Sequence, residues 1–118
     1  MVKYQEAQLS RTFSALTDPT RRAILARLAR EPGLSVSALA RPFPLKLPAV
    51  MKHLDVLSEA GLVSRRKEGR TVSVTLTPGP MQEAMAWLKR YERFWSGSLD
   101  RLTAYVEEES EEWPKSRA

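Results

Sequence analysis

One segment, residues 45–76, constrains the fold more than any other part of the chain. Val50, Leu54 and Leu57 recur at intervals of four and three residues, the spacing that lines up apolar side chains on one face of an α-helix. Gly61 follows, and glycine readily takes the left-handed conformation that ends helices. The pattern predicts a helix that buries one face and stops at this glycine.

Two short runs after the glycine alternate apolar and polar residues, which is the period of a β-strand. They cover residues 62–67 and 71–76, and Glu68, Gly69 and Arg70 connect them. Strands joined by so short a connection are expected to pair as a hairpin. Four cations cluster at the tip of this hairpin: Arg65, Arg66, Lys67 and Arg70. Because like charges repel one another in a free hairpin, the cluster favours a partner that neutralises these charges over a tip that is only solvated.

The rest of the chain is predicted to form helices separated by proline, glycine and capping residues, with Asp18 as the cap of the second helix and Ser35 as the cap of the third. Five helices are predicted in all, over or near residues 4–16, 19–31, 36–40, 47–60 and 81–109. The third and fourth of them, joined by a short connection, form a candidate helix-turn-helix. Residues 77–80 are expected to break the chain before the last helix, and Gly97 is a candidate kink within it.

The composition fits a single soluble domain. The chain has 118 residues, of which 42% are hydrophobic and 28% charged; we assign residues 1–110 to one domain and residues 111–118 to an acidic tail. No apolar run approaches the roughly 20 residues of a membrane helix, and the N-terminus lacks the apolar core of a signal peptide. We therefore expect a cytoplasmic protein with no membrane partner.

Charge divides the chain into a basic and an acidic part. Residues 1–80 carry 13 lysines and arginines against 6 acids, a net +7, whereas residues 81–118 carry 6 against 8, a net −2. The basic excess coincides with the predicted helix and hairpin, which favours a nucleic-acid partner. A recognition helix presents its N-terminal residues to base edges in the major groove. The candidate DNA-facing residues of this helix are Lys46, Leu47, Pro48, Ala49, Val50, Lys52 and His53.

Other chemistries find little support in the residues. The chain has no cysteine and one histidine, so we expect no disulfide, no metal and no other cofactor. No arrangement of nucleophile and base, and no phosphate-binding glycine loop, stands out, which disfavours an enzyme. A stripe of aromatic residues lies near the end of the chain: Trp87, Tyr91, Phe94, Trp95 and Tyr105. We expect these residues to pack in the core or in a dimer interface, and a small-molecule pocket lined by them is the alternative.

Several motifs, in the same order along the chain, resemble those of the ArsR/SmtB family of winged helix-turn-helix repressors. They are Leu16-Thr17-Asp18-Pro19-Thr20-Arg21-Arg22-Ala23-Ile24-Leu25, the run from Leu47 to Leu54, Ala60-Gly61-Leu62-Val63 and the basic stretch from Arg65 to Arg70. The match covers residues 9–76, while segments 87–95 and 99–102 are similar to a metal-independent branch of that family. The resemblance implies a mainly α fold with a two-stranded β-wing.

The resemblance also implies a homodimer that reads an inverted repeat in double-stranded DNA and represses transcription. Two recognition helices would then meet half-sites about 34 Å apart, one turn of DNA. The dimer would form through the first and last helices. The implied interface residues are Leu9, Phe13, Leu88, Tyr91, Trp95, Leu99 and Leu102.

Two departures from the family pattern matter. Residues 34–39 contain no cysteine, where metal-sensing members often carry a pair, which argues against metal control. Lys46 stands where a serine commonly caps the recognition helix, and lysine cannot accept the amide hydrogen bond. Two rival functions stay open. One is a regulator with an unknown small-molecule effector bound in a pocket at the dimer interface, and the other is a winged helix that binds only another protein.

Overall fold

The computed structural model describes the backbone of residues 2–112 and the side chains of residues 5–94 and 96–109. Most of the predicted acidic tail, residues 111–118, therefore lies outside the described residues. The elements in chain order are α1 (Val2–Ala15), α2 (Pro19–Arg30), β1 (Leu34–Ser35), α3 (Val36–Ala40), α4 (Leu47–Glu59), β2 (Val63–Glu68), β3 (Thr71–Leu76), α5 (Pro78–Lys89) and α6 (Glu92–Glu112).

The chain forms two compact units, which divide after Met85. The first unit holds α1 to α4, the sheet and the first part of α5, and the second holds the end of α5 and α6. The single domain predicted over residues 1–110 remains a prediction. Within the described part of the chain, no helix is both long and apolar enough to cross a membrane.

The core of the first unit forms where α2, α3 and α4 meet the sheet. Ile24 and Leu28 of α2, Leu39 of α3, Leu54 of α4 and Val74 of β3 each expose 1% of their surface or less. Burial of one such side chain stabilises a fold by about 1.5–3 kcal/mol. These contacts therefore fix α4 firmly on one of its faces.

The starts of α2 and α3 follow from their capping residues. The Asp18 side chain accepts a hydrogen bond from the Arg21 backbone N–H, and Pro19 occupies the first turn, where its missing N–H costs nothing. The Ser35 hydroxyl accepts from the Ala38 N–H at 3.1 Å. Both predicted helix starts are confirmed.

The end of α4 is a Schellman motif. Gly61 has a φ of +74°, its N–H donates to the Ser58 carbonyl at 3.0 Å, and the Leu62 N–H donates to the Leu57 carbonyl at 2.9 Å. These two bonds satisfy carbonyls that a helix end leaves free. A β-carbon at Gly61 would also lie 3.2 Å from the Pro80 side chain. The predicted glycine stop is confirmed.

The hairpin is present with a two-residue turn. The pairing of β2 with β3 begins with Val63 opposite Leu76 and ends with Glu68 opposite Thr71. Gly69, in the turn, has a φ of +62°, a conformation that glycine adopts without strain. We call this hairpin, residues 63–76, the wing.

The sheet contains three strands, in the order β1-β3-β2, so a third strand that the sequence did not predict joins the predicted two-stranded wing. Leu34 pairs with Val74 and Ser35 with Ser73, both antiparallel. A strand of two residues is too short to show an alternating pattern. It forms because the chain that leads into α3 passes beside β3 and finds partners for its backbone there.

The prediction of a single last helix over residues 81–109 is wrong, because two helices, α5 and α6, take its place. The chain breaks at Arg90 and Tyr91, whose N–H groups donate to the carbonyls of Trp87 and Leu88. These bonds span three residues rather than four, and such tightening often marks a helix end. The rings of Trp87 and Tyr91 meet edge to face across the break, with their centroids 5.2 Å apart.

The prolines before the last helices act differently from the prediction. Pro78 and Pro80 lie in the first turn of α5, where backbone N–H groups have no helical partner, so they begin a helix instead of interrupting the chain. Gly97 lies inside α6, and the kink suggested for it stays a prediction.

Candidate nucleic-acid interface

α4 holds one face in the core and presents its N-terminal turns to solvent. Val50, Leu54 and Leu57, the stripe predicted to be buried, each have 0% exposure. The other side of the helix is accessible. We define the α4 surface by five residues on this side: Lys46, Leu47, Pro48, Ala49 and Lys52. Ala49 is half-buried, and the other four are exposed.

Val50 does not belong to the α4 surface. Its side chain is fully buried and packs in the same cluster as Leu54 and Leu57. A side chain with no exposed area cannot reach a base edge, so the prediction that Val50 contacts DNA is wrong. Its spacing of four residues from Leu54 assigns it to the core face.

Lys46 starts α4 without capping it. Its backbone is extended, and its side chain makes no cap hydrogen bond, as expected of a residue without an acceptor. Its carbonyl still accepts from the N–H groups of Ala49 and Val50 at 3.0 and 3.2 Å. The first turn of the helix is therefore formed, although free N–H groups at its end lack a side-chain partner.

Lys46→Ser should therefore make the protein more stable. A serine hydroxyl can accept a first-turn N–H, and such a cap raises the free energy of unfolding by about 0.5–2 kcal/mol. Thermal or urea unfolding would measure the gain. Lys52→Ser is the matched control, because it removes the same charge from an exposed interior position of α4 where serine slightly disfavours the helix. An equal shift in both variants would contradict a capping effect.

The wing carries three exposed cations, which we call the wing cations: Arg66, Lys67 and Arg70. The Arg66 side chain is 83% exposed and lies 3.5 Å from the carboxylate of Glu68, which is itself 67% exposed. A pair this exposed contributes little energy and is readily exchanged for another partner. The wing cations are therefore available to an anionic surface.

Arg65 faces α4 instead of the wing tip. Its Nη1 donates to Oδ1 of Asp55 at 2.8 Å, and the Arg65 side chain is 27% exposed. This bond joins β2 directly to the recognition-helix candidate. The predicted DNA contact of Arg65 stays a prediction, and the structure adds a role in setting the distance between the wing and α4.

His53 lies half-buried beside the start of α2. Its Nδ1 is 3.4 Å from Nη1 of Arg21 and 3.8 Å from Oδ2 of Asp18. The Arg21 backbone N–H donates to the Asp18 carboxylate, and this bond holds the pKa of that carboxyl below its ordinary value. We call Asp18, Arg21 and His53 the helix junction. The DNA contact predicted for His53 stays a prediction.

Sequence reasoning missed the functional surroundings of His53 and Arg65. It identified Asp18 as a helix cap but gave Arg21 no role beyond the family motif. The contact between Arg21 and His53 joins residues 32 positions apart in sequence, and no local spacing rule can reveal such a pair. The acidic side chain on the polar face of α4, Asp55, was the one signal in the sequence for a bond to the wing.

An apolar cavity lies outside these surfaces. Its volume is about 450 Å³, and it lies between α2, the end of β3 and α5, with Leu25, Ala29, Leu76 and Met81 in its walls. Of the aromatic residues suggested for a small-molecule pocket, none of those with a described side chain lines it. Among the residues that the structure describes, no three potential metal-ligating side chains come together.

A helix-turn-helix in α3 and α4, placed beside a basic hairpin, is the architecture of a winged helix-turn-helix DNA-binding protein. Comparison with known proteins agrees with this class. A family described as a helix-turn-helix domain matches residues 16–66, which run from the end of α1 into the wing.

Relatives of known name identify the family. The HTH-type transcriptional regulator Rv2034 of Mycobacterium tuberculosis is 38% identical over 102 residues, covering 86% of this chain and 92% of its own. The transcriptional repressor SdpR of Bacillus subtilis is 26% identical over 83 residues, covering 70% of this chain and 91% of its own. The crystal structure of an ArsR family transcriptional regulator, RHA00566, is 40% identical, with a TM-score of 0.70 and coverage of 77% and 93%. The chain belongs to the ArsR family of DNA-binding transcriptional regulators.

Proposed function

We propose that the protein is a repressor that binds an inverted-repeat operator as a homodimer. In this proposal the α4 surface enters the major groove, and the wing cations contact the neighbouring phosphates or the minor groove. The observation that carries the proposal is the placement of two accessible surfaces side by side, joined by the bond between Asp55 and Arg65 at 2.8 Å. One surface has the shape to read bases, and the other has the charge to hold the DNA backbone.

The α4 surface suits a major groove because it is small at its centre and charged at its margins. Ala49 offers a methyl group that can contact a thymine methyl, and Lys46 and Lys52 can reach guanine or phosphate oxygens. Lys52 is the residue expected to influence sequence preference most, because it is exposed and follows Ala49 by one turn. His53 and Arg65 contribute by holding α4 and the wing in position.

The exposed apolar residues of the second unit support a second copy as the partner. Leu99 and Leu102 are 53% and 57% exposed, and Leu88 and Tyr91 are both 46% exposed. Large apolar side chains exposed together usually mark an interaction surface. Leu9 and Phe13 of α1 are half-buried and complete the proposed interface. Trp95, the remaining member of the predicted set, has its side chain outside the described residues.

Repression, as opposed to activation, is proposed by analogy with SdpR, whose name describes a transcriptional repressor. Two recognition helices related by a two-fold axis would meet half-sites about 34 Å apart. A protein bound across such a site would block access to the DNA that it covers.

Selection of bound sequences from a random DNA pool tests the proposal. We expect a two-fold symmetric consensus with half-site centres about 10–10.5 base pairs apart. Lys52→Ala should alter the consensus within each half-site, whereas Lys89→Ala, the same change on α5, should not. A single unsymmetric site would contradict the homodimer. A pool with no enrichment, together with no competition by random duplex at low salt, would contradict DNA binding and favour a protein partner.

A further inference from the structure

Arg21 occupies the point where three helices meet. Its Nε donates to the Ala15 carbonyl at 2.7 Å and its Nη2 to the Ser14 carbonyl at 3.2 Å. Both carbonyls belong to the last turn of α1, where a helix leaves acceptors without partners. α1 has no basic residue of its own in that turn. The cation that stabilises the negative, C-terminal end of its helix dipole is therefore supplied by Arg21 of α2.

The third nitrogen of the guanidinium reaches α4. Nη1 lies 3.4 Å from Nδ1 of His53. An arginine N–H can only donate, so a hydrogen bond in this contact requires Nδ1 as the acceptor, which corresponds to the ring tautomer with its proton on Nε2. All three guanidinium nitrogens thus have partners within the protein, which leaves Arg21 poorly placed to serve as a phosphate contact.

Asp18 holds the start of α2 in the same place. Its Oδ2 accepts the Arg21 backbone N–H at 3.0 Å and lies 3.8 Å from Nδ1 of His53. The two charged groups of α2 therefore approach the ring of His53 together. Of the charged residues on α4 nearest to His53, Asp55 is bonded to Arg65 and Lys52 is exposed.

We propose that Arg21 is a positioning residue for DNA recognition: it fixes the rotation of α4 by holding His53 with one nitrogen and the end of α1 with the other two. The apolar contacts of Val50, Leu54 and Leu57 keep α4 on the core, but hydrophobic burial has no direction. A hydrogen bond does have direction, so the helix junction sets the exact rotation of α4 within the face that the core already assigns to solvent. This inference rests on the proposed function, in which α4 reads DNA.

Arg22 provides a matched control. It is the neighbouring arginine, and its Nη1 also donates to a carbonyl at the end of α1, that of Leu16, at 2.6 Å. No bond from Arg22 to α4 is present among the described contacts. Arg21→Gln and Arg22→Gln therefore remove the same charge and a similar cap from α1, and only Arg21→Gln removes the connection to His53.

The experiment measures affinity of the full-length protein for its selected operator and for a random duplex, over a range of salt concentrations. Arg21→Gln should lower the ratio of operator affinity to random-duplex affinity about tenfold, which is the usual effect of one hydrogen bond to a charged group. Arg22→Gln should leave this ratio within about twofold. Because neither arginine is proposed to contact phosphate, the two variants should show the same salt slope as the parent protein.

Variants of His53 complete the test. His53→Asn keeps an acceptor near the position of Nδ1 and should retain most of the specificity ratio, whereas His53→Leu should lose as much of it as Arg21→Gln. The double variant Arg21→Gln, His53→Leu should lose no more than either single one, as expected of two residues that act through one contact. If circular dichroism shows that Arg21→Gln does not fold, Arg21→Lys replaces it, because lysine keeps the charge but lacks the guanidinium group. The ratio of operator affinity to random-duplex affinity should fall in Arg21→Lys as well.

Equal ratios for the Arg21 and Arg22 variants, or an unchanged ratio in His53→Leu, would overturn the positioning role. A changed preferred base in His53→Asn would also overturn it, because it would indicate direct base contact. Failure of the proposed function looks different, because the parent protein itself would then select no operator.

Discussion

Arg66→Ala combined with Arg70→Ala is expected to weaken binding to every DNA sequence alike. Both arginines are exposed on the wing, and removing one phosphate contact should reduce the slope of log affinity against log salt by about 0.9, hence about 1.8 per protomer for the pair. At low salt the affinity should fall roughly tenfold to a hundredfold. Sequence preference should persist, because phosphate contacts carry no direct base information.

Fluorescence anisotropy with the operator and with a random duplex would measure both quantities. The double variant Lys89→Ala, Arg90→Ala is the matched control, since it removes two exposed cations that belong neither to the α4 surface nor to the wing. Stability should change by less than about 0.5 kcal/mol in either variant, as is usual for exposed positions. Unchanged binding with an unchanged salt slope in the wing variant would contradict the assignment of the wing cations.

Leu54→Ala should lower the free energy of unfolding by about 2–5 kcal/mol, the usual cost of such a truncation in a packed core. Leu54 has no exposed surface and lies in the central cluster with residues of α2, α3 and β3. Because the surroundings of α4 are rigid, part of the volume vacated by the leucine side chain would remain as a cavity. The loss of stability should therefore exceed the free energy of transferring the removed atoms to water.

Urea unfolding at fixed protein concentration would measure this change, because any assembly makes stability depend on concentration. Leu47→Ala is the matched control: it is the same substitution on the same helix at a side chain that is 49% exposed. We expect its effect to stay below about 1 kcal/mol. Equal effects at Leu47 and Leu54 would contradict the described packing of α4.

Local signals in the sequence were sufficient for much of the DNA-facing part of the fold. Asp18 and Ser35 predict two helix starts because a cap acts within one turn, and Gly61 predicts the end of α4 for the same reason. The spacing of Leu54 and Leu57 assigns the buried face of α4, and with it the exposed one. Of the four cations that the sequence places at the hairpin tip, three are exposed, whereas Arg65 is bonded to Asp55.

Features that depend on distant partners could not be predicted in this way. Ser35 enters a strand only because Ser73 lies opposite it, and two residues cannot form a pattern. Tyr91 was expected to continue a helix, and the chain instead closes a tight turn there. The position of His53 depends on Arg21, which local spacing places on another helix without indicating where that helix packs.

The strand order has a consequence for how the protein behaves in solution. β3 is paired on both sides, so β1 and β2 are the edge strands of the sheet. β2 is the longer of the two. An open strand margin can pair with another molecule and start aggregation, and charged residues are a common protection against this. Arg66 and Lys67 lie on β2. The cations proposed to hold DNA are thus also placed to protect this strand edge against aggregation when no DNA is bound.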